Sequence, residues 1–274
     1  MTNELNIYKN EAKIGGGRYI DALRADALTS RMLDFVGETL APVDALSKSG
    51  AAFPFRSRFA HTKRVVEWAL RLYGAEGGDP GVIAVAAIFH DAGYSRPGEG
   101  HAAESARIFT AYAARCGGVR SGGAAAHGII GAAARNETGT VRNETDAAAY
   151  GIIGAAARAA MASESGVERI RRVIASHSDK HLYGADISLE EKIMIDADLL
   201  DEIGAMSVLW DCFSEAQKPA YDFTSAYEVI AARFADDERE AARFRTAEGL
   251  RRFMEMRRYV GAFIDGLKTE INYG

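Results

Sequence analysis

Apolar residues recur at the spacing of an α-helix through most of the 274-residue chain, and no segment alternates apolar and polar residues as a strand does. Two start signals support this pattern. Asp79-Pro80 places an N-cap residue before a proline in the first turn, and Ser188 with Glu191 forms a capping box. The sequence therefore predicts an all-α fold, with helices over approximately 18–40, 61–73, 80–92, 101–115 and 167–177, from 189 onward, and over 246–270.

Four histidines fall at the ends of these predicted helices. If consecutive helices pack antiparallel, the start of one helix meets the end of the next, and the four imidazoles gather at one end of a bundle together with an aspartate. These residues are His61, His90, Asp91, His101 and His177. The helix after His177 adds three carboxylates within the run IDADLLD, namely Asp196, Asp198 and Asp201.

Imidazole nitrogens and carboxylate oxygens are the ligands that divalent transition metals bind. A single histidine at a helix end is more often a cap or a surface group, but one shared metal would account for the whole group. Asp91 has two carboxylate oxygens and could bridge two ions. Arg58, Lys180 and Lys192 lie near these residues in sequence and are candidates for contacting a phosphate group.

Charge and hydropathy narrow the range of partners. The net charge of −5 weighs against nucleic acid, because it leaves no basic surplus for a phosphate backbone. No apolar run is long enough to span a membrane, and the polar start of the chain lacks the apolar centre of a signal peptide. The two cysteines fit no metal-ligand spacing and suit a reducing compartment. We therefore expect a cytoplasmic protein without a membrane partner.

Residues 117–166 are rich in Gly and Ala and contain an imperfect repeat. AAAHGIIGAAAR begins at Ala124, and AAAYGIIGAAAR begins at Ala147. Two interpretations stay open: a helical hairpin with small residues at its seam, or a mobile low-complexity insertion. In both cases we expect the segment to lie roughly 20 Å from the metal end, which is one helix length away. We expect it to serve homo-oligomer assembly or partner binding, or to have no role.

His61, the pair His90-Asp91 and Asp198 resemble the H…HD…D signature of HD-domain metal-dependent phosphohydrolases. The surrounding segments RFAHTKRVVEWAL, AAIFHDAGY, GHAAESARIF, RIRRVIASHSD and DADLLDEIGAM are also similar to the family, and the last of these is the reason for preferring Asp198 to Asp196. The tail that begins RTAEGLRRF resembles the closing helix of small bacterial HD hydrolases. The resemblance covers roughly residues 55–116 and 167–270.

The resemblance implies an HD-domain helical bundle over residues 51–270, interrupted by the 117–166 insertion and preceded by an N-terminal helical extension over residues 1–50. It implies that His61, His90, Asp91 and Asp198 hold a first divalent metal ion, one of Mn, Fe, Co, Ni or Zn. His101 and His177 are similar to the additional ligands of dinuclear members and would hold a second ion or contact substrate.

The implied activity is hydrolysis of a phosphoester or phosphoanhydride by metal-activated water. The substrate would be a nucleotide or another small phosphorylated metabolite. Asp91, His101, His177, Arg58, Lys180 and Lys192 would contribute to catalysis. Two alternatives remain: a mixed-valent diiron oxygenase of the HD type, which uses the same six ligands, and a non-catalytic HD protein used for binding or assembly.

Overall fold

The computed structural model describes residues 18–48, 57–96, 100–117, 144–179, 186–235 and 237–272. These residues contain no strand, so the all-α prediction is confirmed. A 3₁₀ turn spans Ala92–Ser95, and the α-helices of the described residues are α1 (Arg18–Ala25), α2 (Ala27–Lys48), α3 (Arg58–Glu76), α4 (Pro80–Phe89), α5 (His101–Gly117), α6 (Glu144–Met161), α7 (Glu164–Ser176), α8 (Leu189–Asp201), α9 (Ala205–Glu215), α10 (Phe223–Arg233), α11 (Asp237–Ala241) and α12 (Ala247–Asn272).

Side-chain caps set where several helices begin. The Asp79 carboxylate accepts hydrogen bonds from the amides of Gly81 and Val82, and the capping box of Ser188 and Glu191 is formed, as the sequence predicts. The helix predicted over 18–40 is divided in two. Asp26 interrupts it, because its carboxylate accepts from the amides of Leu28 and Thr29 and restarts the chain as α2.

Helix α4 is the centre of the bundle. Every residue from Gly81 to Phe89 is buried, and α2, α3, α5, α6, α7 and α8 all pack against this helix. A helix that is apolar on all sides needs such an enclosed position. The His90-Asp91 pair that follows is thereby fixed inside the protein, at the end of its most buried helix.

The second copy of the Gly/Ala-rich repeat forms helix α6, and this helix belongs to the bundle. Ile153, Ala157 and Ala160 are buried in the same core as α4. A Cβ atom added to Gly81 would lie 2.3 Å from the main-chain carbonyl of Ala156, so α4 and α6 approach closely. In the described part of the predicted insertion, the second copy is therefore a helix that packs in the core, and the helical hairpin remains a prediction. The first copy lies outside the described residues.

The N-terminal helices also join this core. Leu23 of α1 and Met32, Leu33, Val36 and Leu40 of α2 are buried in it. Residues 18–48 of the predicted N-terminal helical extension therefore pack against the bundle. The boundaries predicted for the domain remain a prediction.

The C-terminal helices surround a smaller apolar cluster formed by Val208, Ile230 and Val260. Asp196 of α8 attaches this region to the bundle, since its carboxylate accepts from the amides of Arg245 and Thr246 at 2.8 Å each, just before α12. Across the described ranges, no helix is both long and apolar enough to cross a membrane.

Candidate metal centre

Five helix ends meet at one pole of the bundle and bring the predicted ligands together. His61 lies in the first turn of α3 and His101 begins α5, whereas His90 follows the last residue of α4 and His177 follows the last residue of α7. Asp198 lies in the last turn of α8. The antiparallel order of the helices therefore produces the juxtaposition that the sequence predicts.

One group of side chains surrounds the Nε2 atom of His61. This atom lies 3.3 Å from His90 Nε2, 3.2 Å from Asp198 Oδ1 and 3.4 Å from Asp91 Oδ2. His61, His90 and Asp198 are all buried and offer ligand atoms within 4.8 Å of one another. We name these three residues and the Oδ2 atom of Asp91 the first group.

A second group forms around the other oxygen of the same carboxylate. Asp91 Oδ1 lies 3.6 Å from His101 Nε2 and 3.7 Å from His177 Nε2. The two imidazoles are 3.2 Å apart, measured between their Nε2 atoms. Asp91 therefore turns Oδ2 toward His61 of the first group, while Oδ1 lies near the second group and also 3.7 Å from His90 Nε2.

Main-chain carbonyls fix the protonation pattern of two imidazoles. His90 Nδ1 lies 2.8 Å from the carbonyl oxygen of Ala87, and His177 Nδ1 lies 2.7 Å from that of Ile174. A carbonyl can only accept, so Nδ1 is the protonated nitrogen in each ring. The Nε2 lone pairs of His90 and His177 consequently face the cluster.

The charges within the cluster are unequal. Burial lowers the pKa of His90 to about 4, which keeps its ring neutral at pH 7. Burial would raise the pKa of Asp91, but His90, His177 and His61 hold it well below its usual range. Burial also disfavours protonation of His61, yet hydrogen bonds with Asp198 and Asp201 outweigh this effect and raise its pKa to about 9. At pH 7 the neutral ring of His90 and the protonated ring of His61 thus lie beside the ionised carboxylate of Asp91, and a metal ion bound at the first group would replace the His61 proton.

This donor set fits one or two transition-metal ions. Ligand atoms about 2.1 Å from an ion lie roughly 3.0–3.4 Å from one another in octahedral or tetrahedral coordination. The other ligand atoms of the first group lie 3.2–3.4 Å from His61 Nε2. Buried nitrogens that face one another at this separation repel unless a proton or an ion lies between them.

The HD domain family model matches residues 58–203. The chain belongs to the HD-domain family. The matched range runs from the start of α3 to the residues just beyond α8, so it contains all six predicted ligands. A comparison with curated proteins found no match.

Solved structures agree at the level of the fold. The chain resembles Bacillus subtilis YpgQ in complex with ADP at a TM-score of 0.50 and 16% identity, with 92% of this chain and 96% of that chain covered. The selenomethionine form of YpgQ matches at a TM-score of 0.49 and 15% identity, over 92% of this chain and 95% of that chain. At these identities, the likeness supports the fold alone.

Asp201 is a functional residue of this HD centre that the sequence left unassigned. Its Oδ2 atom lies 2.6 Å from His61 Nδ1, and its carboxylate accepts two hydrogen bonds from Arg64, at 2.7 and 3.0 Å. Carboxylates that hold the outer nitrogen of a metal-binding histidine orient the ring. The spacing to Asp198 contained the signal, because residues three apart on a helix share a face.

The three basic residues predicted near the cluster have different positions. Arg58 Nη1 lies 3.4 Å from Asp91 Oδ2, so the structure brings Arg58 to the centre. Lys192 lies in the first turns of α8, about 9 Å along the helix axis from Asp198. Among the described residues, no hydrogen bond or ion pair joins Lys192 to the cluster, so the expected phosphate contact finds no support there. Lys180 falls outside the described residues.

Close contact between Gly93 and the start of α5 sets the position of His101 in the second group. Its amide donates to Ser105 Oγ at 2.8 Å, and an added Cβ would lie 2.1 Å from the carbonyl oxygen of His101. The 3₁₀ turn after Asp91 therefore packs directly on the start of α5. This contact brings His101 within reach of the Asp91 carboxylate.

Proposed function

We propose that this chain is a metal-dependent phosphohydrolase that acts on a nucleotide or another small phosphorylated metabolite. The observation that carries the proposal is the position of Asp91, with one carboxylate oxygen at each of two histidine-rich groups and Arg58 beside it. Membership of the HD-domain family, which is one of metal-dependent phosphohydrolases, supports the same activity.

The proposed centre would hold a first ion with His61, His90, Asp91 and Asp198, and a second with Asp91, His101 and His177. A bound divalent ion lowers the pKa of water and polarises a phosphoryl oxygen. The identity of the metal among Mn, Fe, Co, Ni and Zn remains a prediction.

The chain's own side chains supply the remaining parts of this function. Arg58 is partly exposed, with 18% of its side chain accessible, and its guanidinium can donate to phosphoryl oxygens from the side of Asp91. His101 has 26% of its side chain accessible, whereas His90 and His177 are enclosed. A phosphorylated substrate would therefore approach past Arg58 and His101.

The test is a phosphate-release screen on protein loaded separately with Mn²⁺, Co²⁺, Ni²⁺, Fe²⁺ and Zn²⁺. Nucleoside phosphates come first, because ADP is the ligand named with YpgQ. We expect His90→Ala and Asp91→Ala to lose at least about 100-fold in turnover, since each removes a ligand. Asp34→Ala removes an exposed carboxylate distant in sequence from the ligands and should retain full turnover.

Full metal-dependent turnover in either ligand variant would contradict the proposal. Oxygen consumption by iron-loaded protein, without phosphate release, would support the diiron oxygenase alternative. Absence of both activities in metal-loaded protein would support the non-catalytic alternative. A homo-oligomer, with contacts through residues 117–166, remains a separate prediction that size measurements can test.

A further inference from the structure

Tyr94 lies between two side chains of the centre, those of His101 and Arg58. It belongs to the 3₁₀ turn, three residues after Asp91. Its ring stacks on the His101 imidazole, with the ring centroids 4.3 Å apart and the planes inclined by 21°. The guanidinium carbon of Arg58 lies 3.6 Å from the centroid of the same ring. Two planar groups cannot share one face at these distances, so His101 and Arg58 cover opposite faces of Tyr94.

His101 is held differently from the other three histidines of the centre. His61, His90 and His177 each use Nδ1 in a hydrogen bond with a carboxylate or a carbonyl. Within the described residues, His101 has no such bond at Nδ1, although its Nε2 points to Asp91 and His177. Metal-binding histidines normally have their second nitrogen fixed by a hydrogen bond. The His101 ring is instead stacked on Tyr94 and meets the edge of the His177 imidazole, with centroids 5.1 Å apart.

Arg58 depends on the other face of the same ring. Its side chain reaches from the first turn of α3 to within 3.4 Å of Asp91 Oδ2. Guanidinium groups stack favourably on aromatic faces, and this limits the directions in which a long side chain can turn. The Tyr94 ring thereby keeps the Arg58 guanidinium beside the Asp91 carboxylate, which His101 also contacts.

We propose that Tyr94 is a positioning residue of the centre. Its aromatic ring orients His101 toward a second ion with one face and holds Arg58 at the phosphate side with the other. This inference rests on the two-ion form of the proposed function. The aromatic face makes both contacts, so Tyr94→Phe, which keeps this face, should bind the second ion more tightly than Tyr94→Leu, which removes it.

The experiment is a Mn²⁺ titration of the full chain, followed by calorimetry and by electron paramagnetic resonance. We expect the wild type and Tyr94→Phe to bind two ions and to show the spectrum of a coupled pair. In Tyr94→Leu, we expect the second ion to bind about 10-fold or more weakly, and the first ion to change by less than about twofold, because its ligands do not touch Tyr94. Inorganic phosphate, added to the loaded protein, should bind more weakly to Tyr94→Leu.

Tyr112→Leu is the matched control. Tyr112 packs against Phe35 and Phe89, with centroid distances of 4.9 and 5.2 Å, and none of these rings belongs to the centre. This variant removes an equal aromatic side chain and should keep both ions. It separates lost ring orientation from a general loss of stability.

Two results would overturn the inference: a second ion bound by Tyr94→Leu as tightly as by the wild type, or an equal loss in Tyr94→Phe and Tyr94→Leu. Wild-type protein that binds a single ion would also overturn it. Hydrolysis is scored separately, through His90→Ala, so a failure of the Tyr94 inference leaves the proposed activity to be judged by its own result.

Discussion

Asp201 does for His61 what main-chain carbonyls do for His90 and His177. Each bond fixes an outer nitrogen and leaves Nε2 directed inward. The Asp201 bond differs in one respect, because the carboxylate is itself held by Arg64. The orientation of His61 thus depends on two side chains of helices α3 and α8, while the other two rings depend on their own helices.

We expect Asp201→Ala to weaken binding of the first ion by about 10- to 100-fold, because His61 loses the partner that orients it. Competition between the protein and a metal indicator measures this affinity. Asp211→Ala is the matched control, since Asp211 accepts two hydrogen bonds from Arg233 at 2.6 Å each but lies outside the cluster. Equal affinity in Asp201→Ala and wild type would show that packing of α3 alone orients His61.

At the residue scale, the sequence predicted which residues form the cluster better than it predicted which residues hold them in place. Helix direction alone predicted the meeting of His61, His90, Asp91, His101 and His177. The choice between Asp196 and Asp198 needed the family resemblance, because both are buried and only the structure shows that Asp196 caps the start of α12. Tyr94 was missed because stacking depends on ring orientation, which no spacing rule gives.

Close approach of backbones is the main feature of the α4–α6 contact. Gly81 is the point where α4 meets the Ala156 carbonyl, and Gly154 lies against Asp26, where an added Cβ would come within 2.8 Å of the carboxylate carbon. A Cβ at either position would have to displace its neighbour. Small residues therefore let α6 settle directly on the central helix.

We expect Gly81→Ala to lower the free energy of unfolding by about 1–3 kcal/mol, because the added methyl group overpacks the contact between α4 and α6. Urea unfolding followed by circular dichroism measures the change. Gly151→Ala, on the same pair of helices, meets open space and should instead gain about 0.5–1 kcal/mol from reduced backbone entropy.

Equal effects of these two substitutions, in either direction, would contradict the close packing of α6. A stable Gly81→Ala protein would show in particular that α4 and α6 lie farther apart than the structure indicates.

At the element scale, the sequence predicted the helices with bulky apolar stripes and left two interpretations open for the one without. Helix α6 buries Ile153, Ala157 and Ala160, which share one face. Alanine and glycine contribute little to a hydrophobicity pattern, so this face looked like a low-complexity segment. Helix α6 packs on α4 through close contact between their backbones, rather than through burial of large side chains.

The whole bundle has one metal-binding pole and one opposite pole where α6 meets the start of α4. His90 and Gly81 lie at the two ends of α4, about 13 Å apart along the helix axis. Within the predicted 117–166 segment, Ala156 of α6 contacts the end of α4 that lies away from His90. The larger arrangement could not be predicted, because the sequence did not show that α6 belongs to the core.

Ion binding should stabilise the whole molecule. A ligand that binds only the native state adds about 2.7 kcal/mol at a concentration 100 times its dissociation constant. For a chain of this size, this corresponds to a rise in Tm of roughly 5–10 °C. Differential scanning calorimetry with added Mn²⁺, and then with excess chelator, measures the rise and its reversal.

His90→Ala serves as the control for this effect, since it removes a ligand of the first group. Its rise in Tm with Mn²⁺ should be smaller than that of the wild type, because only the second group keeps all its ligands. A rise equal to that of the wild type would place the stabilising ion elsewhere on the protein.

The bond between His61 and Asp201 joins residues 140 positions apart in the chain. Closing so long a loop has a large entropic cost, and contacts of this range form only after the intervening helices have docked. The ligands thus come together late in folding, so an ion cannot act as a template for the early steps. The apparent affinity for the ion then depends on the fraction of protein molecules in which all the helices have docked.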